Sequence, residues 1–178
     1  MFGRLSRMFG RLLHKRSRRH EVAVSALRAM ALTVDPSSIQ LSPTSALPHV
    51  FGAIMETGYP GVVATLVVLA DCTVSLYLSK GSSIIGAGQH PAVHQSADAF
   101  LRAAESLHSQ LEPISVFPPP SEGETRFYLR TFEVTLGAVA EDRALGEGRH
   151  ALSPLFYAAH VVIARIREAS EARRGRRA

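Results

Sequence analysis

Tryptophan is missing from this chain, cysteine occurs once, and aromatic residues fill only 7% of its 178 positions. The single cysteine, Cys72, excludes an internal disulfide and any CxxC metal or redox site. A reducing cytosol suits such a chain. Long apolar runs are also lacking. Gly61–Ala70 is too short to cross a bilayer, and Ala151–Ala164 is interrupted by Ser153, Pro154 and His160. The first twenty residues contain no acid, and their charges are spread among apolar residues, with no separate apolar core of the kind a secretory signal needs.

What is present is a segregated charge. Seven basic residues lie in 1–20 and four more in 173–178. The other nine face all fifteen acidic residues, so 21–172 sums to −6 although the whole chain is +5. A mildly acidic body with two basic ends argues against nucleic acid as its partner, because a basic face on the body is missing. With 46% apolar residues the body can bury a sizeable core.

The pentapeptide Met-Phe-Gly-Arg-Leu stands at 1–5 and again at 8–12. Seven residues make almost two helical turns, so each copy stacks on the last. Drawn as a helix, Phe2, Leu5, Phe9 and Leu12 share one side, while Arg4, Arg7, Arg11 and Lys15 share the other, with Arg16 beyond. These nine residues are the expected docking surface for an anionic membrane or a partner, since interfacial helices combine these two faces. A disordered basic arm, an RNA-adsorbing tail, and a native start at Met8 or Met30 are the competing readings.

Residues 1–29 read as this basic amphipathic extension, 30–45 as a Pro/Ser linker, 46–172 as an α+β domain and 173–178 as a basic tail. Within the domain, Leu47, Val50, Phe51, Ile54 and Met55 recur at 3–4 spacing and predict a helix to about Thr57. The β-branched run 62–70 and the alternating 73–79 predict two strands joined at Asp71-Cys72. Val93, Ala97, Phe100, Leu101, Ala104, Leu107 and Leu111 mark a helix. Strands at 113–117, 125–132 and 134–140 follow, then a helix from Ser153-Pro154 to about Glu171. The expected fold is α+β: a five-stranded antiparallel sheet (two strands, helix, three strands) with flanking helices.

That order over roughly 46–170 resembles the Roadblock / dynein light chain family of the profilin- and longin-like fold. Domains of that family are usually shorter, carry Asp-Gly in the first hairpin where this chain has Asp71-Cys72, and rarely have so long a lead. The resemblance implies a homodimer and, as a protein partner, a small GTPase. The stretch from Gly58 to Gly88 is also similar to a group of uncharacterised bacterial proteins, which carries no function over.

Catalytic signatures are sparse. Neither G-x-S-x-G nor H-E-x-x-H occurs. Gly81, Gly86 and Gly88 approach a phosphate loop, but no Lys-Ser/Thr follows. His90, His94 and Asp98 stand at i, i+4 and i+8, a ligand spacing that an Asp98–Arg102 pair explains as well. The sequence therefore reads as a non-catalytic interaction or scaffolding module, without cofactor or metal. It would be cytoplasmic or peripheral at the inner face of the cytoplasmic membrane. The alternative is a small ligand-binding domain or enzyme using loops 79–94 and 141–150, with Lys80, Ser82, His90, Arg149 and His150 converging.

Overall fold

A computed structural model describes residues 21–80 and 83–175. The described chain begins in a helix over 21–33 (α1), followed by a 3-10 turn at Pro36–Ile39. Strands Val50–Tyr59 (β1), Val62–Leu69 (β2), Val74–Leu78 (β3) and Ser83–Ile84 (β4) precede helix Pro91–Leu107 (α2). Strands Glu112–Pro113 (β5), Glu124–Thr131 (β6) and Thr135–Glu141 (β7) come next, then helices Asp142–Gly146 (α3) and Ser153–Gly175 (α4). The strands form one antiparallel sheet in the order β4-β3-β2-β1-β6-β7-β5.

The α+β class and the antiparallel sheet agree with expectation, but the sheet has seven strands rather than five, four before α2 and three after it. The largest correction is at 46–57. No helix forms there; Val50–Tyr59 is the central strand, paired with β2 on one side and β6 on the other. Every residue from Val50 to Gly58 is buried, because helices cover both faces of the sheet at this strand. A strand buried on both faces has no reason to alternate, so its apolar residues fell by chance into a helical spacing. Gly52 and Gly58 disfavour helix in this stretch. Gly58 also meets a local requirement, since a Cβ there would run into the carbonyl oxygen of Ser121.

The second correction concerns 113–117. Only Glu112 and Pro113 pair, with Gly137 and Leu136 of β7. The chain then crosses the sheet face, where Phe117 meets Tyr128 edge-on at 5.7 Å. The hairpin at Asp71-Cys72 forms as expected, with Cys72 exposed and left-handed at φ 70°.

Two apolar layers flank the sheet. On one face α2 and α4 bury Phe100, Leu101, Leu155 and Ile166 against Phe127 and Leu129 of β6. On the other, α1 buries Val24, Ala31 and Leu32 against Ile54, Val67, Leu69 and Tyr128. Adjacent residues serve opposite layers, as the pleat requires: Met55 pairs with Phe127 and Ile54 with Tyr128. The stretch read as a linker takes part in this packing, since Val34 and Ile39 join the second layer. Burying a side chain such as Leu32 contributes about 1.5–3 kcal/mol, so α1 is an integral layer of the domain.

Candidate functional site

Alongside α1, the β2–β3 half of the second face is left as a groove. The helix follows β2 in the same direction: Glu21 and Val24 lie by Val63, while Leu27, Ala31 and Val34 lie by Val67 and Leu69. One compartment, about 240 Å³, is lined mainly by apolar groups, among them Leu27, Met30, Ile39, Val67, Leu69 and Tyr77. Met30 and Ile85, 65% and 60% exposed, stand on its wall. The other, about 360 Å³, has the polar and charged residues Arg28, Glu56, Thr65, Ser79 and Lys80 in its lining, beside Val24, Val63 and Pro119.

The larger compartment is organised by Glu56, which is fully buried in the middle of β1. Arg28 reaches down from α1 and donates Nε–H to Oε1 and Nη2–H to Oε2, each at 2.7 Å. Thr65 donates to Oε1 at 2.9 Å, and Arg28 also donates to the Phe117 carbonyl at 2.9 Å. The bond to Glu56 raises the affinity of the guanidinium for its proton, against the opposing effect of burial. Helix, strands and the 112–120 crossing are thus held by one ion pair, the strands through Glu56 and the crossing through Arg28. Arg130 makes a reciprocal clasp from β6, donating Nη2–H to the Val34 carbonyl at 2.8 Å and Nη1–H to Thr135.

Between the compartments Tyr77 is 2% exposed, and its hydroxyl is buried with no hydrogen-bond partner. Burial pushes its phenol well above the ordinary range, and the Glu56 charge adds to the effect. A hydroxyl buried without a partner carries its desolvation cost uncompensated.

Of the alternative ligand-loop residues, Lys80 lines the larger compartment. Ser82 lies outside the described residues. His90 occupies the N-cap position of α2 without a side-chain capping bond, and its backbone N–H closes the 3-10 turn on Ala87. Arg149 is engaged with Glu147, and the His150 ring accepts the Leu152 N–H at 3.1 Å. Arg149 and His150 follow β7, four positions from β3 in the sheet. His94 and Asp98 approach at 3.8 Å, and Asp98 also faces Arg102 at 4.0 Å. Gly88 packs where a Cβ would strike the Cys72 carbonyl oxygen, which explains that glycine without a phosphate. The docking residues from Phe2 to Arg16 lie outside the described residues.

Sequence reasoning overlooked Arg28, Glu56 and Tyr77. A signal existed: Glu56 is the only charge in the ten residues of β1, and a lone acid inside an apolar strand needs a partner.

Fold and groove together define an α+β protein with helices on both faces of an antiparallel sheet and an open cleft beside α1. No family model, no curated protein and no solved structure matches the chain. Among the described residues no helix is long and apolar enough to cross a membrane.

Proposed function

We propose that the protein is a non-catalytic interaction module that seats an apolar segment of a protein partner in the groove beside α1. The observation that carries this reading is the apolar compartment with Met30 and Ile85 exposed on its wall. Its volume of about 240 Å³ is below that of ordinary small-molecule sites, roughly 300–1,000 Å³, and suits one or two anchoring side chains. A flexible Met on the wall favours adaptable apolar contact.

The test is capture from native cells by the full chain and by a Met30→Glu, Ile85→Glu double variant. Both side chains are exposed, so the fold should survive. Loss of a specific captured protein in the variant supports the groove; equal capture rejects it. Homodimerisation belongs to the same proposal. Either sheet edge would contribute only a two-residue strand, so exposed Tyr157 and Val161 of α4 are the better contact. Sedimentation of the chain and of Val161→Glu checks that part.

A further inference from the structure

A second cluster lies where the end of α2 meets the start of β1. His49, just before β1, and His108, just after α2, stack with ring centroids 4.5 Å apart and planes 19° from parallel. Glu105, one turn before His108, turns its carboxylate to both rings: Oε1 lies 2.6 Å from His49 Nδ1 and 3.9 Å from His108 Nδ1. The other oxygen, Oε2, accepts the backbone N–H groups of His49 at 3.1 Å and Val50 at 2.8 Å. One carboxylate oxygen is therefore anchored to the backbone, and the other is held toward two imidazoles. One ligand atom from each of the three residues lies within 4.8 Å of the other two.

We propose that His49, Glu105 and His108 form a binding site for a divalent transition-metal ion of the zinc class. Two imidazoles and a carboxylate are a donor set that such ions favour over magnesium or calcium. Tetrahedral bonds of about 2.0–2.1 Å place ligand atoms about 3.3 Å apart. The oxygen–nitrogen separations of 2.6 and 3.9 Å each lie within an ångström of that spacing, and the third separation is under 4.8 Å. The His49 side chain is 57% exposed, which leaves its ring room to tilt out of the stack until its lone pair points at the ion. On binding, the ion replaces the proton shared by His49 Nδ1 and Glu105 Oε1. It also displaces the proton that His108 Nδ1 directs at the Glu105 carbonyl, 2.6 Å away. Each neutral ring then carries its single proton on Nε2, so no net proton is released, and water completes the coordination on the exposed side. The two backbone bonds at Oε2 supply the outer support that keeps a ligating carboxylate in place.

The test uses the full chain without an affinity tag. Zinc is titrated calorimetrically and by thermal shift, and cobalt by its visible absorption. One equivalent of zinc should bind, raise the melting temperature and displace cobalt. His49→Asn and His108→Asn, in which the new amide of residue 108 still reaches the Glu105 carbonyl, should each weaken binding at least about tenfold. His94→Asn should leave it unchanged. Absence of saturable zinc binding below about 100 μM, or undiminished binding by the His49→Asn, His108→Asn double variant, overturns the site. Circular dichroism confirms that each variant is folded. If one is not, Glu105→Gln, which keeps an acceptor for the two backbone N–H groups, must show the same loss.

Discussion

Arg28 and Glu56, twenty-eight residues apart, meet in a two-pronged ion pair whose carboxylate is fully buried. The pair joins α1 to the central strand. Arg28→Ala would leave a buried charge without its cation, a loss of about 3–5 kcal/mol. Urea unfolding should show that loss, and hydrogen exchange should show α1 losing protection before the sheet. Replacing both residues by apolar ones, Arg28→Met with Glu56→Leu, should recover most of it, because no charge then remains buried.

Tyr77→Phe should be neutral or stabilising by up to about 1 kcal/mol. The hydroxyl it removes is buried without a partner and contributes only its desolvation cost. A destabilisation of that size in a urea titration would mean that the hydroxyl is bonded in solution.

Gly58→Ala should cost at least about 2 kcal/mol, seen as a lower melting temperature, because the new methyl meets the backbone of Ser121 and not a side chain that can turn away.

His160 gives the fold a pH dependence. Its Nε2 is buried without a partner and its ring lies 4.3 Å from that of Phe156. Burial holds its pKa below the ordinary 6.5, with Arg167 adding to the effect and Asp142 opposing it. As pH falls through 6.5 the unfolded chain takes up this proton first, so the contribution is full above that value and is lost below it. The drop in urea midpoint between pH 7.5 and 5.5 should shrink in His160→Leu. Glu105 acts in a separate window. Burial would raise its pKa, but the backbone bond from Val50 and the bonds from His49 outweigh that and lower it. Its contribution is therefore present above 4.5 and is lost only below that pH.

The basic repeat has its own test. The full chain should sediment with anionic vesicles, and a Phe2→Ser, Phe9→Ser variant should bind less, since a peripheral anchor needs its apolar face as well as its charge. Equal binding by the variant would leave only a basic arm.

The sequence by itself determined the elements whose pattern is local. The β-branched run 62–70 became β2 over Val62–Leu69, the segments read at 125–132 and 134–140 became β6 and β7, and Ser153-Pro154 opened α4. Such elements expose one face or are bounded by turn residues, and the chain records both. The tertiary structure alone decided the rest. The apolar spacing of 46–57 is compatible with a helix until α1 on one side and α2 with α4 on the other make it a strand buried on both faces. Arg28 and Glu56, or His49 with Glu105 and His108, carry no spacing signature, because folding brings them together from 28 and 56 residues apart. Periodicity reports what each segment turns toward solvent; which segments meet is set by how the layers close over the sheet.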